Sequence, residues 1–144
     1  MKSRLFLCAG IFVCFGLAMF VSPVSATSNY QYKPGEYVVI VDGRSPDGKY
    51  SIASHGEGEF GDENFHLYLM DAQTGKKIGA LEEIKDTLDT GADAFYAKWS
   101  ADSREVSITY RVDRHEAVMV RYQIENGRAS RMSGPTKVAG LPRN

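Results

Sequence analysis

Apolar and polar residues alternate in short segments along most of the chain after residue 35, and turn residues separate these segments. In EVSITYRV, for example, Val106, Ile108 and Tyr110 alternate with polar residues. A period of two is typical of a β-strand with one buried face. The pattern predicts eight strands, which are EYVVIVD, YSIAS, FHLYLMD, IGAL, AFYAKWS, EVSITYRV, AVMVRYQI and ASRM. The first of these is apolar on both faces, so we expect it to be covered on both sides.

Tight turns are expected between several of these strands. In Ser45-Pro46-Asp47-Gly48 the proline pre-sets φ, the aspartate can accept hydrogen bonds from nearby N–H groups, and the glycine tolerates positive φ. The turn residues that we expect to be structural are Pro46, Asp47, Gly48, Gly75, Asp102 and Gly127. Gly127 follows an asparagine, which is the preferred pair for a two-residue hairpin turn.

The segment 81–91 departs from the strand pattern. Leu81, Ile84 and Leu88 recur at helical spacing, and Gly91 stands where a helix would end. The pattern predicts one short helix here, connecting the two groups of four strands.

The two groups repeat one another. SPDGKYSIAS followed by LYLMDAQTGKK resembles a blade of the TolB-like (WD-repeat-like) β-propellers, and KWSADSREVSITY followed by MVRYQIENGR is similar but less complete. Arg44 stands where the first copy would have the family's tryptophan, whereas the second copy keeps Trp99. A closed propeller needs roughly four to eight blades, and this chain has two. We therefore expect an all-β fold of two blade-like antiparallel sheets of about four strands each, packed face to face. The alternative is a propeller assembled from several chains.

The first residues have the layout of a secretory signal peptide. Lys2 and Arg4 precede an uncharged apolar run, and small residues end at Ala26. We expect a signal peptide over 1–26 and a lead-in over 27–35. A single β domain follows over 36–132, with repeats at 36–80 and 94–132 and the connector at 81–91, and then a flexible tail over 133–144. The alternative is an uncleaved membrane anchor. Export would place the protein in the periplasm or outside the cell, with no membrane span after cleavage.

Composition removes several classes of function. Cys8 and Cys14 both lie in the predicted signal peptide, so no disulfide or thiolate chemistry is expected after cleavage. The remaining 118 residues carry 15 Lys and Arg against 18 Asp and Glu, which argues against a nucleic-acid partner. The chain has no Gly-x-Ser-x-Gly or His-Glu-x-x-His motif and no phosphate-binding glycine loop, and we expect no enzyme activity.

The segment HGEGEFGDENFH concentrates histidine and carboxylate groups, which suit zinc, copper or nickel. The metal candidates are His55, His66, Glu59 and Asp62, although their spacing fits no known metal loop. The simpler interpretation is a solvated hairpin loop whose charges discourage edge-to-edge pairing.

In a blade, the long loops and the connector would share one side, which we call the acidic loop face. Its charged residues are Glu57, Glu59, Asp62, Glu63, Glu82, Glu83, Asp86, Asp89, Asp93, Asp113 and Glu116, with Lys85 and Arg114. We expect partner binding at His55, Glu57, Glu59, Asp62, Glu63, His66, Asp113, His115 and Glu116.

The sequence therefore predicts an exported, non-enzymatic binding protein of the periplasm or cell envelope. Its partner would be an envelope or secreted protein with a basic surface, because a negative face attracts cationic surfaces. No cofactor is expected. The alternative is a divalent-metal-binding protein or a metal-dependent enzyme that uses the His, Glu and Asp loops. The sequence leaves open whether the chain forms a homo-oligomer.

Overall fold

The computed structural model describes residues 30–142, so the predicted signal peptide over 1–26 lies outside the described residues. The all-β class is confirmed. The strands are β1 (Val38–Arg44), β2 (Tyr50–Glu57), β3 (Glu63–Asp71), β4 (Lys77–Ala80), β5 (Tyr96–Trp99), β6 (Glu105–Arg111), β7 (Ala117–Glu125) and β8 (Arg128–Val138). Each lies where the alternation predicted a strand. No helix within residues 30–142 is long and apolar enough to cross a membrane.

The eight strands of residues 30–142 belong to one sheet, in the order β4-β3-β2-β1-β5-β6-β7-β8. Strands β1–β4 (the first half) and β5–β8 (the second half) are each antiparallel, and β1 pairs in parallel with β5 at Val41 and Tyr96. The sheet curls into a half-barrel. The expectation of two separate sheets is therefore wrong. Joining the halves at β1 and β5 gives partners to edge groups that separate sheets would leave free, as in the 3.1 Å bond from the Val41 N–H to the Phe95 carbonyl.

The curl brings the inner faces of both halves onto one hydrophobic core. Its strand residues include Ile52, Leu67 and Leu69 from the first half and Val106, Ile108, Tyr110, Val118, Val120, Tyr122 and Ile124 from the second. In β6 and β7 these residues alternate with more exposed ones, as the pattern predicted. The halves thus do pack their apolar faces against each other, but as two parts of a single sheet.

The two tight turns that follow the first strand of each half have the same hydrogen bonds. Asp47 Oδ1 accepts from the Ser45 hydroxyl at 2.7 Å and from the Lys49 N–H at 3.0 Å. Asp102 Oδ1 accepts from the Ser100 hydroxyl and the Arg104 N–H at 2.6 and 3.1 Å. These aspartates therefore build the turns, as expected.

The glycines of the turns also take their expected conformation. Gly48 has φ 72°, and Gly75 and Gly127 both have φ 70°. Positive φ is a region that side-chain-bearing residues seldom adopt. Ser103 occupies the position of Gly48 in the second half and has φ 59°.

The predicted helix over 81–91 is wrong. The segment is irregular, with positive φ at Glu83 and Asp86, and only Ala92–Ala94 forms a single 3₁₀ turn. Leu81 and Ile84 are buried in the core as their spacing implied, whereas Leu88 is 39% exposed. Tertiary contacts override helix formation, because the backbone carbonyls bond to tyrosine hydroxyls of the second half instead of to N–H groups of a helix.

The last strand extends further than expected. β8 continues to Val138, so residues 133–138 belong to the sheet and not to the predicted tail. They pair with β7, with Val138 opposite Ala117 and Thr136 opposite Met119. Pro135 argued against a strand at this point of the sequence. An edge strand tolerates proline, however, because one of its sides needs no N–H donor.

Candidate functional site

The predicted site residues divide between two hairpin ends, one in each half. His55 and His66 lie directly opposite each other on β2 and β3, and Glu57 lies opposite Glu63. Glu59 and Asp62 are exposed in the loop between these strands, whereas Asp113, His115 and Glu116 lie in the turn from β6 to β7. Because β1 and β5 run parallel, both hairpin ends and the 81–95 connector lie at the same end of the sheet.

The turn between β6 and β7 is held closed by its own residues. Asp113 Oδ1 accepts hydrogen bonds from the N–H groups of His115 and Glu116, both at 2.7 Å. These bonds hold the pKa of Asp113 below its ordinary value, and the bond from the His115 N–H has the largest effect. Glu116 pairs with Lys137 of β8 at 3.0 Å. Asp113 and Glu116 therefore contribute to the local structure of the hairpin.

The loop between β2 and β3 is closely packed through its glycines. A Cβ atom on Gly56 would stand 1.9 Å from the Gly61 carbonyl oxygen, and one on Gly61 would stand 2.0 Å from that of Tyr30. Both distances are far too short for a side chain, so glycine is required where the lead-in crosses this loop. The carboxylates on the loop are therefore presented from a packed support.

The predicted metal ligands do not gather into a cluster within the described residues. Within residues 30–142, no group of three or more His, Asp or Glu side chains has a geometry that could hold a metal ion. His55 and His66 share one face of the sheet, but Glu59 and Asp62 do not complete a ligand set with them.

The outer face of the first half carries a continuous row of rings that the sequence did not reveal. We call Tyr37, His55, Tyr68 and His66 the aromatic strip. The ring centroids of Tyr37 and His55 are 4.7 Å apart, and those of Tyr37 and Tyr68 are 5.3 Å apart at 86°. His66 contacts Tyr68 edge to face at 5.9 Å. Tyr37 and Tyr68 are only half-buried and face away from the core.

The aromatic strip already accepts a cation from the same chain. Lys77 Nζ of β4 lies 5.2 Å from the centroid of the Tyr68 ring, within the range of a cation–π interaction. Burial raises the pKa of Tyr68, Lys77 opposes this shift, and Tyr37 and Glu57 add to it. Tyr68 is therefore a neutral phenol at pH 7 and presents an intact π face.

His55 is held in one orientation by the lead-in. Its Nδ1 lies 2.6 Å from the Glu36 carbonyl oxygen, which can only accept a hydrogen bond. Nδ1 therefore carries the proton, and Nε2 is the acceptor in the neutral ring. The Tyr32 ring also lies against His55, with centroids 5.6 Å apart.

Tyr32 fastens the lead-in to the domain. It is buried, and its hydroxyl donates to the Thr90 carbonyl of the connector and lies 2.8 Å from the Ser54 hydroxyl. Tyr30 remains 41% exposed beside it. The described end of the lead-in, residues 30–35, thus belongs to the support of the aromatic strip.

No family model, no curated protein and no solved structure matches this chain. The TolB-like resemblance therefore stays a prediction that depends on the two sequence repeats.

Proposed function

We propose that this protein is an exported, non-enzymatic binding protein that holds a basic side chain of an envelope or secreted protein on the aromatic strip. The observation that carries the proposal is the position of Lys77 over Tyr68, on rings that face solvent on the outer side of the sheet. A lysine or arginine of a partner would bind in the same manner.

The rings are arranged to accept a cation. A cation is attracted to the negative face of an aromatic ring, and neighbouring rings at an angle present several such faces together. Tyr37 stands nearly perpendicular to Tyr68, so the two rings form a corner. Interactions of this kind contribute about 0.5–1 kcal/mol at exposed sites and more where water is removed.

Carboxylates next to the aromatic strip give its surroundings a negative charge. Glu57 and Glu63 face each other at the ends of β2 and β3, two positions beyond His55 on β2 and three before His66 on β3. Like charges directly opposite each other repel, and a cation between them relieves that repulsion. A basic partner is therefore favoured by both the rings and the acids, and its binding would weaken as salt screens the charges.

A library of random peptides tests the proposal with a defined probe. Incubated with the immobilised protein at low salt, the library should be enriched in Lys- and Arg-containing peptides, and the enrichment should decline at high salt. Tyr68→Ala should abolish it. Tyr96→Ala removes a half-buried tyrosine from the outer face of the second half and should leave it unchanged. No enrichment, or enrichment that survives Tyr68→Ala, would contradict the proposal.

A second variant separates the acids from the rings. Replacing Glu57, Glu59, Asp62 and Glu63 by Gln or Asn removes the charges while keeping the aromatic strip. We expect peptide affinity and its salt dependence to fall together. Unchanged affinity and salt dependence would show that these carboxylates are only a solvated surface.

Export is part of the same proposal and has its own test. Mass spectrometry of the protein recovered from the periplasm or medium should give an N-terminus at Thr27 and no attached lipid. Recovery of intact Met1 in the membrane fraction would contradict cleavage and support an anchor.

A further inference from the structure

The outer face of the second half carries a groove that the proposed function does not use. Its volume is about 420 Å³, and its floor is formed by side chains of β5, β6 and β7. Small-ligand sites in proteins begin at about 300 Å³, so the groove can hold one or two sugar-sized rings.

A row of side chains crosses the floor of this groove in register. Lys98 of β5 lies opposite Ser107 of β6, and Ser107 lies opposite Arg121 of β7. Side chains opposite each other in a sheet point to the same face. We call Lys98, Ser107 and Arg121 the cationic row. Neighbouring strands lie about 4.8 Å apart, so the backbones of Lys98 and Arg121 are separated by roughly 10 Å. The Ser107 hydroxyl lies between them.

The two cations of the row differ in their partners. Arg121 Nη2 bonds to Glu105 Oε2 at 2.9 Å, and both side chains are nearly half-exposed. Lys98 is exposed, and no carboxylate of residues 30–142 pairs with its ammonium group. The row therefore keeps an excess of positive charge, on a domain whose loop end is strongly acidic.

The second row of the groove supplies hydroxyl and apolar groups. Tyr96, Thr109 and Met119 lie opposite one another on the same three strands, next to the cationic row. Sugar rings present hydroxyl groups at their edges and C–H groups on their faces. Ser107 and Thr109 match the former, and Tyr96 and Met119 match the latter.

The backbone of this face excludes an added peptide strand. Strands β5, β6 and β7 each have a hydrogen-bonded neighbour on both sides, so none offers a free edge. A ligand must be recognised by side chains alone, and the side chains present suit carboxylate, hydroxyl and C–H groups together.

We propose that the groove binds a short segment of an acidic polysaccharide. Lys98 and Arg121 hold carboxylates of successive uronate units, Ser107 and Thr109 bond to sugar hydroxyls, and Tyr96 lies against a ring face. This site is independent of the aromatic strip, and its ligand has the opposite charge.

Isothermal titration of the purified protein with a tetragalacturonate tests the inference. We expect binding that weakens with salt, and at least tenfold weaker binding of both the neutral methyl ester and tetraglutamate. Lys98→Gln should lower the affinity about tenfold, because a charge-assisted hydrogen bond is lost. Lys76→Gln, in an exposed turn of the first half, is the matched control and should have no effect.

Glu105→Gln should change the affinity in the opposite direction to Lys98→Gln, and a misfolded variant would not bind more tightly. Without its carboxylate partner Arg121 is free for the ligand, so this variant should bind tetragalacturonate more tightly. The inference would be overturned if the protein did not bind tetragalacturonate, or if tetraglutamate bound as tightly as the sugar. It would also be overturned if Lys98→Gln had no effect, or if Glu105→Gln bound no more tightly than the wild type.

Discussion

The backbone N–H of Asp47 donates a 3.0 Å hydrogen bond to the hydroxyl of Ser103, 56 residues further along the chain. Each residue belongs to the tight turn that follows the first strand of its half. Ser103 is buried although it lies in a turn. The bond therefore joins the halves at the end of the sheet opposite the acidic loop face, beyond the parallel bridge between β1 and β5.

Ser103→Ala should lower the free energy of unfolding by about 1 kcal/mol, because the Asp47 N–H loses its partner. Ser103→Gly loses the same bond but relieves the positive φ of 59°, so its cost should be smaller. Urea denaturation measures both. Ser130→Ala, an exposed position of β8, is the control. Equal stability of Ser103→Ala and the wild type would show that the bond does not join the halves.

Gly48→Val should lower stability by about 1 kcal/mol or more, because valine at φ 72° is strained even though nothing lies within 4 Å of the new Cβ. Gly127→Val should behave in the same way, with φ 70°. Gly79 also has free space around it but no positive φ, so Gly79→Val is the matched control that adds the same side chain without the backbone strain. Melting temperatures that fall equally in all three variants would contradict the explanation by strain.

Acid should weaken the tight turns through Asp47 and Asp102. The Ser45 and Ser100 hydroxyls, followed by the N–H groups of the turns, lower the pKa of these carboxyls from the ordinary value of 3.8. A carboxyl with a lowered pKa in the folded state stabilises that state only while ionised. Its contribution is therefore complete above pH 3.8 and is lost as the pH falls below that value.

Thermal unfolding between pH 2 and pH 7 measures this loss. The variant Asp47→Asn with Asp102→Asn should be less stable than the wild type at pH 7 and should lose less stability on acidification. A variant whose melting temperature falls with pH as steeply as that of the wild type would show that other carboxylates control the acid response.

Tyr122→Phe should destabilise the protein by about 1 kcal/mol, because the Glu82 carbonyl loses its hydroxyl donor. Tyr110→Phe should cost less, since its bond to the Glu83 carbonyl is long at 3.4 Å. Urea denaturation gives the two free energies. Amide exchange at Leu88, whose N–H bonds to the Arg111 carbonyl, should be faster in Tyr122→Phe. Unchanged exchange would show that the hydroxyl does not hold the connector.

The strands and turns could be predicted because local chemistry determines them. In β6 and β7 one face is buried and the other faces solvent, so alternation in the sequence gave the orientation of each side chain. Gly48 and Gly127 could be assigned from their neighbours alone, since the preferred residues of a tight turn follow from its φ and ψ values.

The connector and the aromatic strip could not be predicted because distant contacts determine them. The spacing of Leu81 and Ile84 was compatible with a helix, whereas the carbonyls of this segment bond to tyrosine hydroxyls of the second half. Tyr37 and Tyr68 are far apart in sequence, and their alignment depends on the neighbouring positions of β1, β2 and β3. The sequence shows that the tyrosines are present, but it does not show which of them contact each other.

The parallel bridge between β1 and β5 has a consequence for the order in which the chain folds. Every other strand pair joins neighbours in sequence, so each half needs only short-range loop closures. Joining β1 to β5 closes a loop of more than fifty residues. The chain loses the entropy of this closure before the contacts between the halves stabilise it. The two halves can therefore form separately, and the connector with its buried Leu81 and Ile84 completes the core when they meet.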